Sequence, residues 1–138
     1  METKIFRKLH HTAIVVNSID ESVNWYCSIY SARTIGDKFI DRNQNVIVQF
    51  IQSPDIRIEL IEPYGDTSPV NRFLNKHGSG SLYHLAFEVE NFVDVENFVD
   101  YNGGIILSKT SNAWGGMEVM FCIFLKGNEN QLIEFVVT

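Results

Sequence analysis

His11, Glu59, His84 and Glu134 stand at matching places in the two halves of a 138-residue chain. Two imidazoles and two carboxylates make a mixed nitrogen and oxygen donor set suited to a divalent metal. The first half reads His11-Thr12-Ala13-Ile14-Val15-Val16 with Asp20 following, and the second reads His84-Leu85-Ala86-Phe87-Glu88-Val89 with Asp94 following. Each half closes on a run with one central glutamate, Ile58-Glu59-Leu60-Ile61 and Leu132-Ile133-Glu134-Phe135. The His-to-Glu separations are 59 − 11 = 48 and 134 − 84 = 50 residues, which is the pattern of a duplicated unit contributing one His and one Glu from each copy.

Alternation along a strand sends successive side chains to opposite faces. Glu59 therefore points away from Ile58 and Leu60, and Glu134 away from Ile133 and Phe135. If each module curves around a cup, the four side chains converge on one metal ion, with Zn, Ni, Co, Mn and Fe(II) all compatible and water or substrate completing an octahedron. Ala13 and Ala86, two residues beyond each His on the same face, leave room there. His10 and His77 lack the register: His10 points opposite to His11 and His77 falls between the halves, so both are read as surface or internally satisfied residues.

The elements that must position these groups follow from periodicity. Leu9 to Val16 alternates as a strand; Ser18-Ile19-Asp20-Glu21 has the form of a capping box, and Ile19, Val23, Tyr26, Cys27 and Tyr30 recur at helical spacing, predicting a helix over roughly 20–31. Three strands follow at roughly 33–41, 45–52 and 55–62, with Asp41-Arg42-Asn43 and Ser53-Pro54-Asp55 as turns. Residues 64–80, punctuated by Gly65, Pro69, Gly78 and Gly80, form a linker with a short helical turn over about 70–76. The second copy predicts a strand at about 82–90, a helix at 92–101 stopped by Asn102-Gly103-Gly104, and strands near 104–108, 117–125 and 131–137. Residues 110–116 are expected to be a mobile loop bordering a binding site. The chain is thus one domain over 1–138, with module 1 at about 9–63, the linker at 64–80 and module 2 at about 81–138.

Apolar residues at 45% and charged ones at 20% are ordinary for a globular protein of one substantial core. The net charge of −6 argues against nucleic acid or an anionic membrane as partner, and an anionic ligand would need a local basic patch. Cys27 and Cys122 show no metal or redox spacing, and no apolar signal segment precedes the first strand, so a cytoplasmic setting is expected.

His11 and His84 opening strands, with Glu59 and Glu134 closing the modules, resemble the vicinal oxygen chelate superfamily over nearly the whole chain. The stretch Asp66-Thr67-Ser68-Pro69-Val70-Asn71-Arg72-Phe73-Leu74-Asn75-Lys76-His77-Gly78-Ser79-Gly80 running into Tyr83-His84-Leu85-Ala86-Phe87-Glu88-Val89 is similar to methylmalonyl-CoA epimerases. So are Leu9-His10-His11-Thr12-Ala13-Ile14-Val15-Val16 and Ile58-Glu59-Leu60-Ile61-Glu62-Pro63. The resemblance implies an α+β fold of two paired βαβββ modules, forming a curved, barrel-like mixed sheet around a metal cup. It also implies one divalent metal on His11, Glu59, His84 and Glu134, and proton transfer beside the carbonyl of a small carbonyl or acyl-thioester substrate. Glu134 is then the base and Glu59 the group on the other face.

Two departures stand out. Where the epimerases place a second catalytic carboxylate on the third strand, this sequence has Gln49, read as facing inward; its amide can bind a substrate oxygen but cannot shuttle a proton. Their Gly-x-His-Gly-Lys and Phe-Leu-His-Pro stretches are replaced by Trp114-Gly115-Gly116 and Phe124-Leu125-Lys126, with Trp114 a candidate to stack on a ligand. The leading expectation is an epimerase or isomerase. A glyoxalase I-like lyase and a non-catalytic ligand-sequestering resistance protein of the same fold are the rivals. A ring-cleaving dioxygenase fits less well, having no need of Glu59. A homodimer is compatible with this architecture.

Overall fold

The computed structural model describes residues 5–138. The chain forms two compact units, one of His11–Tyr83 and one of His84–Thr138 with the N-terminal residues through His10. It passes from one to the other within β1 (Lys8–Val15), between His10 and His11, and again between Tyr83 and His84.

In the His11–Tyr83 unit, β1 is followed by α1 (Ile19–Ile29), β2 (Arg33–Asp41), β3 (Val46–Gln52) and β4 (Arg57–Pro63), the expected βαβββ order. The strands lie in the order β2-β3-β4-β1. Helix α1 begins where Ser18 Oγ accepts from the Glu21 amide at 3.3 Å, which satisfies one of the amides the first turn leaves open. A second, the Ile19 amide, donates to Glu62 Oε1 at 2.8 Å. The helix stops as Ser31 turns left-handed at φ 52°. Its apolar stripe, Ile19, Val23, Tyr26 and Cys27, packs on Ile14, Val16, Ile51, Ile58 and Leu60. One sheet face is thereby fixed as the helix side. Burial pushes the Cys27 thiol above its usual range, as it does Cys122, raised to about 11, so both stay protonated, Cys122 inside the core and Cys27 half-buried against it.

The segment read as a linker belongs to this unit. Its helix α2 (Val70–His77) starts where Ser68 Oγ accepts from the Val70 amide at 3.3 Å. The chain is then tied to β1 by Gly80 N–H donating to Val15 O at 2.8 Å and by the Asn17 amide donating to Ser79 Oγ at 3.0 Å.

The other unit repeats the order with β5 (Ser81–Glu88, entering from the first unit), α3 (Phe92–Tyr101), β6 (Ile105–Thr110), β7 (Glu118–Lys126) and β8 (Glu129–Val137), arranged β5-β8-β7-β6. Asn91 Oδ1 caps α3 by accepting from the Asp94 amide at 2.9 Å, and Gly103 at φ 70° ends it, where the glycine lacks the Cβ that would be strained. Phe92, Val95 and Val99 pack on Val89, Met120, Cys122 and Phe135. The N-terminal residues add to this core, which the sequence pattern did not reveal: Ile5 is buried in it, and the Phe6 ring lies 4.9 Å from Phe87 and 5.4 Å from Phe98.

Residues 110–116, expected as a loop, are irregular and largely exposed, with anchored edges. They carry a single 3-10 turn, Trp114–Gly116, and Ala113 and Met117 on either side are buried with Ala86, Val119, Phe121 and Val136. Apolar contact on both flanks fastens the segment to the sheet, while Gly115 and Gly116 at φ 70° and 76° make the tight reversal. Among the described residues no helix is long and apolar enough to cross a membrane.

Candidate functional site

Each unit assembles one His–Glu pair on the sheet face opposite its helix, by the same means. In the first, β1 and β4 run parallel with Ala13 opposite Glu59, and His11, two residues earlier on the same face, brings Nε2 to 3.3 Å from Glu59 Oε1. In the second, β5 and β8 run parallel with Ala86 opposite Glu134, and His84 Nε2 lies 3.3 Å from Glu134 Oε1. Ala13 and Ala86 are completely buried. A larger side chain at either would intrude on the glutamate beside it.

The repeat extends to a residue the sequence reading missed. Phe50, opposite Glu59 in the antiparallel β3–β4 pair, meets the His11 ring edge to face at 5.1 Å and 84°. Phe121, opposite Glu134 in the β7–β8 pair, meets His84 at 5.1 Å and 81°. An aromatic wall on one side and a glutamate on the other restrict each imidazole to one orientation. The available signal was the Ser53-Pro54-Asp55 turn: it sets the hairpin register that puts Phe50 against Glu59.

All four His and Glu residues are buried, and each offers one metal-ligand atom. The 3.3 Å spacing fits this use. Two ligands each about 2.1 Å from one ion are about 3.0 Å apart at a right angle and about 3.4 Å apart at a tetrahedral angle. A charge-assisted hydrogen bond would instead close to about 2.7–2.9 Å. The spacing in both pairs falls between the two coordination values, so this donor set suits a divalent metal.

Next to the first pair, Tyr83 has its phenol pushed above the usual range, chiefly by burial and further by the negative charge of Glu59. It stays protonated and able to donate. Trp114 packs on the cluster that holds Ala86 and Phe121, beside the second pair. His10 is buried rather than at the surface, whereas His77 is exposed and rests 4.4 Å from the Phe73 ring.

Gln49 does not face as expected. It pairs with Leu60, on the helix side, while Phe50 and Glu59 occupy the other face. Its Nε2 donates to Ile35 O at 3.3 Å, Gly36 O at 3.1 Å and Phe50 O at 3.1 Å. The reason is a bulge: the β2–β3 register shifts between Ile35 and Phe39, which leaves carbonyls outside the ladder, and the Gln49 amide satisfies them. Gln49→Glu should consequently destabilise the fold by about 1–3 kcal/mol, since a carboxylate set among carbonyl oxygens loses its donors. Urea denaturation measures this, and activity per folded molecule is expected to stay unchanged.

Three comparisons bear on this geometry. Residues 10–130 match the model of the glyoxalase/bleomycin resistance protein/dioxygenase superfamily. The ethylmalonyl-CoA/methylmalonyl-CoA epimerase of Cereibacter sphaeroides is 29% identical over 116 residues, covering 83% of this chain and 86% of that protein. The mitochondrial methylmalonyl-CoA epimerase of Dictyostelium discoideum is 32% identical over 83 residues, 60% of this chain, and the match spans only 49% of that relative's length. In three dimensions the methylmalonyl-CoA epimerase of Mycobacterium tuberculosis superposes with a TM-score of 0.85 at 21% identity, covering 99% of this chain and 91% of that one. That likeness shows the fold, two βαβββ modules in an α+β protein.

Proposed function

The chain belongs to the glyoxalase/bleomycin resistance protein/dioxygenase superfamily, and from that premise we propose that it is a metal-dependent isomerase of the epimerase type, moving a proton on the carbon next to the carbonyl of an acyl-thioester. The observation that carries this reading is the doubled His–Glu pair, each at 3.3 Å, each with an alanine beside its glutamate and a phenylalanine against its histidine. His11, Glu59, His84 and Glu134 are the residues that would hold one divalent ion. When bound, that ion supplies a positive charge for the oxygen of the substrate carbonyl as the neighbouring carbon loses its proton, worth several kcal/mol.

The chain's own groups do the rest. Glu134 takes the proton, and a proton returns to the same carbon from its other face, the side of Glu59, so that the configuration inverts. Burial of both carboxylates keeps bulk water from competing for the proton. Trp114 covers the ligand from beside the second pair. The substrate class is supported by the Cereibacter and Dictyostelium relatives, which are named for acyl-CoA epimerisation.

Purified protein loaded with Co, Ni, Zn, Mn or Fe(II) in turn and incubated in deuterated water with methylmalonyl-CoA should place deuterium on the α-carbon and racemise a single epimer. No exchange with any metal would overturn the epimerase reading. A second reading, a glyoxalase I-like lyase, is favoured by the presence of a carboxylate in both pairs. Turnover of a hemithioacetal without thioester exchange would establish it instead.

A further inference from the structure

Asn102 is the only asparagine in the chain that is followed by glycine. Asparagine is one of the thermally labile side chains. Its amide carbon is an electrophile within reach of the next residue's backbone nitrogen, and a glycine there offers no side chain to block the approach. The pair stands at an open corner: Tyr101, Asn102 and Gly103 are all exposed, at the junction between α3 and β6.

The reaction open to this corner begins with the Gly103 nitrogen attacking Asn102 Cγ. The new N–Cγ bond closes a succinimide ring as the Cγ–Nδ2 bond breaks, and Nδ2 leaves as ammonia with the proton from the Gly103 amide. Water then opens the ring. Addition at Cγ gives aspartate with the ordinary backbone. Addition at the main-chain carbonyl of residue 102 gives isoaspartate, in which the chain runs through Cβ and Cγ.

In the folded corner both reacting groups are held. Asn102 Nδ2 donates to Phe98 O at 2.8 Å, and the Gly103 amide donates to Asp100 O at 3.2 Å. The Asn102 amide also donates to Phe98 O, at 3.1 Å. All three bonds belong to the last turn of α3, and a helix end opens at lower cost than the helix body. When that turn frays, the three are lost together and the Gly103 nitrogen is free to reach Cγ. The Phe98 and Asp100 carbonyls are thus the gate on the reaction.

Neither product fits the corner that Asn102 closes. Each puts a carboxylate where Phe98 O needs a donor, at the negative end of the helix, beside Asp100 and with no basic residue in the last turn. Isoaspartate also lengthens the main chain just before Gly103 and Gly104, and Gly104 has no slack. Its amide donates to Val99 O at 2.8 Å, and a Cβ at this position would stand 2.6 Å from the Phe124 ring and 3.0 Å from Val99. Val99 and Phe124 pack in the core that holds Phe135, the neighbour of Glu134.

We propose that Asn102 is a site of spontaneous deamidation, gated by fraying of the last turn of α3, and that its isoaspartyl product unfastens that helix from the sheet. No step involves the His–Glu pairs, so the site stands whatever reaction they perform. The test ages the intact chain at mildly alkaline pH, folded and in denaturing urea, and maps the digested peptides by mass and by retention against aspartyl and isoaspartyl standards. Asn102 should be the first asparagine converted, to a mixture of the two products. The unfolded chain should react about tenfold or more faster than the folded one, and urea below the unfolding transition should raise the folded rate. Asn102→Gln, whose longer side chain closes a larger ring far more slowly, should keep its melting temperature through the same ageing. Asn102→Asp reproduces one product and should melt below the wild type, with the isolated isoaspartyl chain lower still.

No conversion at residue 102, or earlier conversion of another asparagine in the folded chain, would overturn the site. Equal rates in the folded and unfolded chains would overturn the gate. An isoaspartyl chain that melts with the wild type would overturn the unfastening of α3.

Discussion

Replacing Glu134 by Gln is expected to lower epimerisation by about 10²- to 10⁴-fold, the range a positioned general base contributes. The amide keeps the shape of the side chain and an oxygen that can still face a metal, but it has no basic site for a proton at working pH. Metal content should therefore fall much less than turnover, which separates loss of the base from collapse of the site. Glu59→Gln should lower inversion by a similar factor and behave differently in deuterated water. With Glu134 intact, one epimer still exchanges its α-proton while net conversion to the other epimer is lost. Unchanged turnover in Glu134→Gln would pass the role to Glu59 or to water.

The legible parts of this molecule were those governed by local periodicity. The helix over Phe92–Tyr101 was readable because Asn91 is a good cap and Asn102-Gly103-Gly104 a good stop, and both act within a few residues. The sides taken by Glu59 and Glu134 were readable because a charged residue between two large apolar ones has one sensible face. Gln49 had no such contrast. Strand β3 reads Val46-Ile47-Val48-Gln49-Phe50-Ile51, apolar on both faces, so its facing is decided by the hairpin register with β4 and by the bulge in β2. Both are pairings across sequence that alternation within one strand does not reveal. The anchoring of the 110–116 segment was hidden for a related reason. Its composition is that of a loop, but Ala113 and Met117 at its edges bury against Ala86, Val119 and Val136, residues supplied by three other strands.

His11→Ala and His84→Ala decide whether the two pairs act on one ion. Each histidine is buried, yet it faces the glutamate side of its sheet and not the apolar layer under the helix, so either truncation should leave a folded chain. If all four residues share one metal, the wild type binds one ion per chain and each single variant binds none, because two or three of the ligands hold a divalent ion far less tightly than four. If each His–Glu pair bound its own ion, the wild type would carry two and each variant one. Metal analysis of the three proteins after gel filtration reads this directly. Thermal stability gives an independent reading: an ion present at about 100 times its dissociation constant stabilises the folded wild type by about 2.7 kcal/mol, and chelation removes that increment. The same chelator should leave the melting temperature of either variant unmoved. A variant that keeps half the wild-type metal and half the chelator response would break the shared-ion reading, and with it the pairing of Glu134 and Glu59 on opposite faces of one carbon.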